Sequence, residues 1–129
     1  MDRIDEIMKN YPELRVEYVV MDNELGGYIY RNIILLDANK SEDELVPILY
    51  EELGHYETTV GDISRYSSQS DLKQEYRARV WGLKHLVTKS AINHFKKQDY
   101  DDDYEVADEL GIKITYLHEA GEVYKIKEN

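Results

Sequence analysis

The chain has 129 residues, no cysteine and a formal net charge of −11, from 27 acidic and 16 basic residues. This length predicts a single domain, and a hydrophobic fraction of 42% is enough for a packed core. The charge disfavours nucleic acid as a direct partner, and the absence of cysteine excludes disulfides, thiolate metal sites and cysteine nucleophiles.

The first third of the chain predicts a short helix followed by a small sheet. Residues 2–10 have apolar side chains at helical spacing, and Pro12 ends the helix. Residues 14–20 alternate, which predicts a strand with one buried face. The side chains expected on that face are Leu14, Val16, Tyr18 and Val20.

The next apolar segments lie after a turn at residues 22–27. Residues 28–30 and 33–36 have the composition of strands. They are compatible with two separate strands or with one long bulged strand across Arg31 and Asn32, and the sequence does not decide between these alternatives.

A helix is predicted after Ser41, because Ser41 and Glu44 have the spacing of a capping box. Its apolar side chains recur at helical spacing up to about Thr58. Pro47 would remove one intrahelical hydrogen bond, so the helix either kinks there or begins there. The apolar stripe consists of Leu45, Leu49, Leu53 and Tyr56.

The rest of the chain predicts further helices. A polar loop at 62–70 precedes one long helix over about 71–95. The acidic run 99–103 caps a helix at 104–110, which Gly111 ends, and a final helix covers about 115–124. Strands first and helices after them indicate an α+β fold in one domain, 1–129, with a core at 14–95 and a helical extension at 99–129.

No segment is predicted to enter a membrane. The apolar runs at 33–36 and 80–83 are far too short to span a bilayer. Residues 1–6 lack the basic and apolar segments of a signal peptide. We therefore expect a soluble protein of the cytoplasm.

Glu51, Glu52 and His55 form a candidate metal site on the first long helix. Residues four apart lie roughly 40° apart around a helix axis, so Glu51 and His55 can reach one ion. Glu52 lies on the adjacent flank, as the acid–base glutamate does in the H-E-x-x-H pattern. Glutamate replaces the first histidine here, and a carboxylate can also bind zinc. The alternative is an ordinary charge pair on an exposed helix.

The next helix offers a third ligand, Glu75, twenty residues beyond His55. Ala78 and Gly82 follow Glu75 on the same helical stripe, and such small residues allow two helices to approach closely. The alternative is that Glu75 pairs with Arg79, four residues later.

Residues 49–56, 58–62 and 75–78 resemble the ImmA/IrrE family of metallopeptidases. The resemblance covers about residues 14–95. It implies a small zincin-like domain with a short antiparallel sheet of about three strands, a metal-binding helix, a second long helix and a C-terminal helical hairpin. Carried over residue by residue, it makes Glu51, His55 and Glu75 the Zn²⁺ ligands and Glu52 the catalytic base. Glu51 stands where the family's motif has histidine, and a carboxylate is a harder ligand than an imidazole. Mn²⁺ is therefore an alternative ion.

The same resemblance implies a function and a substrate. Such proteins are metal-dependent endopeptidases that cleave a helix-turn-helix repressor of a phage or mobile element. The alternative is an inactive metallopeptidase fold that acts by binding a partner protein. For substrate binding, Ile33–Leu36 is a candidate sheet edge that could pair with an extended peptide, but the favoured interpretation is that these residues belong to the core.

Three further histidines and the C-terminal segment are predicted to lie outside the candidate metal site. His85 reads as a partly buried structural residue, and His94 and His118 as surface residues. Residues 107–112 resemble part of a helix-turn-helix, but residues 99–129 carry ten acidic residues and three lysines, or 3 − 10 = −7. This charge is the opposite of what DNA binding requires.

Overall fold

The computed structural model describes residues 1–22, 25–58, 70–97 and 102–128. Three strands come early in the chain and most of the helices follow them, which confirms the predicted α+β class. In chain order the elements are α1 (Asp2–Met8), β1 (Arg15–Val19), β2 (Gly27–Tyr30), β3 (Ile33–Asp37), α2 (Glu42–Thr58), α3 (Ser70–Leu86), α4 (Lys89–Lys97), α5 (Asp103–Leu110) and α6 (Ile114–Glu128).

The sheet is mixed, with the strand order β1-β3-β2. β2 and β3 are two separate strands joined by a tight turn in which Arg31 has φ 55°. This turn makes β3 antiparallel to β2, and β3 then lies beside β1 in parallel. The expectation of an antiparallel sheet was therefore wrong for the β1–β3 pair, because the chain crosses from one edge to the other before the hairpin returns to the centre.

β3 is the central strand, so Ile33–Leu36 does not form the candidate sheet edge, and the favoured interpretation that these residues belong to the core is confirmed. Ile34 and Leu36 are fully buried beneath α2. β1 lies at one edge, and Tyr18 and Val20 are 42% and 69% exposed. Their predicted burial was wrong because α2 packs mainly on β2 and β3, which leaves much of β1 uncovered.

The capping box at the start of α2 is confirmed. The Glu44 N–H donates to Ser41 Oγ at 3.3 Å, and the Ser41 N–H donates to Glu44 Oε1 at 3.1 Å. The helix therefore begins at Glu42 and runs through Pro47, which is buried inside it, to Thr58. Of the two interpretations of Pro47, a helix that begins there is excluded.

The predicted long helix at 71–95 is divided into α3 and α4. Thr88 causes the break, since its Oγ1 accepts the Ala91 N–H at 3.1 Å and so caps a new helix. The cap and end of α5 are as predicted, with the Glu105 N–H bound to Asp102 Oδ1 and Gly111 at φ 70°. Most of the predicted loop at 62–70 lies outside the described residues, but Ser70 already belongs to α3.

α2 and α3 pack antiparallel and in very close contact. A Cβ at Gly54 would collide with the carbonyl group of Ala78, and one at Gly82 would lie 3.1 Å from the backbone nitrogen of Glu51. α2 covers an apolar cluster shared with the sheet and α1, while α3 continues into a second cluster with α5 and α6. No helix in the described ranges is long and apolar enough to cross a membrane.

Replacement of Gly54 by alanine should lower the free energy of unfolding by about 1–3 kcal/mol, because the new methyl group must push α3 away. Urea unfolding curves of the wild type and the variant, fitted with the same m value, measure this change in free energy. Gly121→Ala is the matched control, since nothing lies within 4 Å of its Cβ position in α6. That variant should be stabilised by about 0.5–1 kcal/mol. Equal effects of the two substitutions would contradict close packing at Gly54.

Candidate metal centre

His55 and Glu75 meet across the interface between α2 and α3. His55 is buried, with 4% of its surface exposed, and its Nε2 lies 3.4 Å from Glu75 Oε2. The Glu75 side chain is half exposed. The contact depends on the small residues between the helices, because Ala78 follows Glu75 by one turn and packs on Gly54 next to His55. Two of the three predicted ligands are therefore adjacent.

Glu52 lies largely buried beside this pair. Burial, followed by the negative charges of Glu51 and Glu75, raises the pKa of Glu52 to about 8, and a hydrogen bond with the backbone of Ile29 only partly opposes this shift. A carboxyl group with a pKa near neutrality can both accept and donate a proton in neutral solution. The same neighbouring charges give the site a negative potential, which favours a bound cation.

Glu51, the third predicted ligand, is held by an arginine. Arg79 Nη1 donates to Glu51 Oε1 at 3.1 Å. The same guanidinium group binds both carboxylate oxygens of Glu119 on α6, at 2.7 and 2.8 Å. Its hydrogen bonds lower the pKa of Glu119. The alternative pairing of Glu75 with Arg79 is wrong, since Arg79 contacts these two other carboxylates and Glu75 faces His55.

The donor set is chemically suited to a divalent cation, but only part of it is assembled. One imidazole and carboxylates are ligands that zinc accepts, and a higher share of oxygen suits harder ions. Among the described residues, no group of three or more acidic or histidine side chains is arranged to hold a metal. Glu51 would join His55 and Glu75 only after its carboxylate leaves Arg79.

The contacts between Glu51, Arg79 and Glu119 were not predicted from the sequence. Part of the signal was nevertheless present, because Glu51 and His55 are four apart on α2, and Glu75 and Arg79 are four apart on α3. If two such helices pack antiparallel and His55 faces Glu75, Glu51 must face Arg79. Nothing comparable identifies Glu119, since it comes from a distant helix.

The other histidines lie elsewhere. His85 is exposed rather than partly buried, and its ring stacks on Trp81 at 3.7 Å between centroids. His94 and His118 are exposed, as predicted, and His118 Nε2 lies 3.0 Å from a carboxylate oxygen of Asp103. The structure therefore gives these three residues contacts with side chains outside the candidate metal centre.

Comparison with known families gives one match. A family model described as the IrrE N-terminal-like domain, which defines a family of peptidases, matches residues 11–120. The matched segment includes the sheet, both helices of the candidate centre and most of the C-terminal helices. Neither the curated proteins nor the solved structures contain a significant match.

Glu52→Gln should stabilise the metal-free protein at alkaline pH. The pKa of Glu52 is 4.5 in the unfolded chain and about 8 in the folded protein. At pH values between these two, Glu52 holds a proton in the folded state and loses it on unfolding. The stability of the wild type therefore falls as pH rises through this range, whereas a neutral amide contributes no such loss.

Unfolding in urea with a chelator, at pH 5 and pH 8.5, measures the difference. The free energy of unfolding of Glu52→Gln, relative to that of the wild type, should rise by at least about 1 kcal/mol from pH 5 to pH 8.5. Glu109→Gln, at an exposed position on α5, is the control and should show no such growth. A constant difference across this pH range would show that Glu52 titrates like an exposed residue.

Proposed function

The chain belongs to the IrrE N-terminal-like family of peptidases, and from this premise we propose that it hydrolyses peptide bonds with a bound Zn²⁺ ion. Membership indicates a function of the metallopeptidase type. Our assignment makes Glu51, His55 and Glu75 the ligands and Glu52 the catalytic base. The observation that supports it most directly is the 3.4 Å contact of buried His55 with Glu75, beside a carboxyl group of raised pKa.

The chain's own residues account for proton transfer in this mechanism. A bound Zn²⁺ ion supplies Lewis acidity toward a water molecule and toward the scissile carbonyl. Glu52 accepts the proton of the attacking water and later donates it to the departing amine. The carboxyl group lies beside the backbone of Ile29, and burial shields it from bulk water.

Glu51 can serve as a ligand if Arg79 releases it and remains bound to Glu119 alone. Glu119 binds the guanidinium group through both oxygens, so Arg79 stays neutralised when Glu51 is released. Two carboxylates and one imidazole form a harder ligand set than the usual two imidazoles and one carboxylate. Mn²⁺ is therefore the alternative ion that we propose.

The β2 edge offers a path for an extended substrate. The Asp37 N–H donates to the Gly26 carbonyl at 2.8 Å, so the alternation of an antiparallel ladder turns the backbone groups of Gly27 and Ile29 outward. Ile29 is the residue whose backbone contacts Glu52. A peptide lying along this edge would bring one of its bonds close to the catalytic carboxyl group.

We propose a helix-turn-helix repressor of a phage or mobile element as the substrate, and the cytoplasm as the place of cleavage. The resemblance of residues 49–56 and 75–78 to ImmA/IrrE proteins is the basis of this proposal. The net charge of −11 supports it, because an acidic surface attracts a basic protein that has left its DNA. Direct contact with nucleic acid forms no part of the proposal.

The second candidate function is a binding module that has lost peptidase activity. The ion pair between Arg79 and Glu51 favours it, since a carboxylate engaged by arginine does not need a metal. In this case the fold would hold a partner protein without cutting it. The two functions differ in their dependence on metal.

Metal content separates these functions. We expect about one zinc ion per chain in protein purified without chelator, and loss of the ion in His55→Ala and Glu75→Ala, because each substitution removes a ligand. Elemental mass spectrometry measures the ratio. His85→Ala is the control and should keep its metal. Wild-type protein that stays empty after incubation with zinc or manganese would favour the binding module.

The role of Glu52 is tested by cleavage. Glu52→Gln should keep metal and fold but lose peptide hydrolysis by roughly 10²–10⁴-fold, since it removes the proton acceptor. The probes are a mixture of peptides from a digested proteome and a co-produced helix-turn-helix repressor, with new N-termini identified by mass spectrometry. Glu57→Gln, exposed on the same helix, should cleave normally. Wild-type rates in Glu52→Gln would exclude Glu52 as the base.

A further inference from the structure

A cavity of about 330 Å³ opens beside the candidate metal centre. The first half of α2 forms one wall, and Arg79 of α3 and Tyr116 of α6 form another. Glu51 belongs both to the cavity lining and to the candidate ligand set. The cavity therefore begins one helical turn, or roughly 5 Å, from His55.

Three cations from separate parts of the chain line this cavity: Lys40, Arg79 and Lys113. This grouping stands out in a chain with only 16 basic residues and a net charge of −11. Within the part of the chain that the structure describes, Lys40 and Lys113 form no ion pair; both act on Glu44 only through their charge.

The two carboxylates in the lining already have other partners. Glu44 accepts hydrogen bonds from the backbone and side chain of Ser41, which fix it in the capping box. Glu51 is bound by Arg79. Both carboxylates keep their negative charge, and together with Glu119 they offset the three cations overall, but neither forms a direct ion pair with either of the two lysines. The two lysine ammonium groups are therefore the groups that an entering carboxylate can bind.

The remaining walls strengthen the attraction for an anion. Pro47 and Ile48 present apolar surface, and the guanidinium carbon of Arg79 lies 5.4 Å from the centre of the Tyr116 ring. Most of the lining is polar, but the cavity is concave, so the field of the cations is screened somewhat less than on an open surface. A carboxylate that enters can form charge-assisted hydrogen bonds with lysine ammonium groups.

We propose that this cavity is a subsite for a carboxylate group of a bound peptide. An extended peptide advances about 3.3 Å per residue, so a group one or two residues from the bond at Glu52 reaches the cavity. An aspartate or glutamate side chain and a C-terminal carboxylate share the required chemistry. The role in substrate selection rests on the proposed peptidase function, whereas carboxylate binding itself does not.

Three small probes distinguish the sources. N-acetylglutamate α-amide carries only a side-chain carboxylate, N-acetylglutamine only a terminal one, and N-acetylglutamine amide none. Each is titrated into the full-length ¹⁵N-labelled protein at low salt, and amide shifts are followed by NMR. We expect saturable shifts at Gly26, Ile48 and Tyr116 with one or both carboxylates and none with the neutral amide. The carboxylate probe that binds more tightly shows whether the cavity prefers a side-chain or a C-terminal carboxylate.

Variants establish where the probe binds. Lys40→Gln combined with Lys113→Gln should weaken binding of the better probe by roughly tenfold or more, because two charged donors are lost. Lys97→Gln, an exposed lysine of α4, has the same change in charge per residue and should leave binding unchanged. Equal binding of the neutral amide, shifts confined to another surface, or unchanged binding by the double variant would overturn the subsite.

The two proposals fail in different ways. A chain that cleaves peptides but binds neither carboxylate retains its peptidase function and loses the subsite. A chain that binds a carboxylate in the cavity but holds no metal and cleaves nothing retains the subsite and loses the peptidase function. Metal content, cleavage and probe binding are measured on the same preparation, so these outcomes are distinguishable.

Discussion

The close approach of α2 and α3 is the constraint on which the candidate centre depends. It is possible because Gly54 and Gly82 leave room for the backbone of the opposite helix. Because the two helices run antiparallel, two side chains spaced one turn apart on α2 each face one of two side chains with the same spacing on α3. His55 therefore meets Glu75, and Glu51 meets Arg79. A wider separation would break both contacts and expose the buried side chain of His55 to solvent.

The two pairs differ in how their charge is balanced. Glu51 lies against a fixed cation, Arg79, which is also bound by Glu119. Beside His55, burial and then the negative charges of Glu51 and Glu75 raise the pKa of Glu52. The second pair is thus the part of the interface that gains most from an added cation. The raised pKa of Glu52 and the contact between His55 and Glu75 thus arise in the same closely packed part of the interface.

Local signals in the sequence predicted the elements well. The Ser41–Glu44 capping box and the Gly111 helix end depend on neighbouring residues only, and both are confirmed. The apolar composition of residues 33–36 favoured a place in the core, but the central position of β3 and its parallel pairing with β1 depend on a crossover between strands that local spacing does not reveal. The break at Thr88 was missed because apolar spacing continues across it and the cap is formed by a single hydroxyl group.

The candidate site was predictable as far as helix geometry extends. Spacing on one helix gave Glu51, Glu52 and His55, and the small residues after Glu75 indicated the opposite helix. The pairing of Glu51 with Arg79 follows from the register between helices, and the contact with Glu119 from the position of α6. Both are properties of the tertiary structure.

The carboxylate at position 51 connects these observations. A neutral imidazole at this position could bind a metal but would leave Arg79 with Glu119 as its negative partner and with none on α2, whereas a carboxylate can bind either the metal or Arg79. Arg79 is already bound on its other side by both oxygens of Glu119, so the release of Glu51 does not leave a bare cation in the interface. In the proposed metal site, glutamate at position 51 would therefore keep α2 and α3 packed through its contact with Arg79 before the metal binds and through the shared ion afterwards.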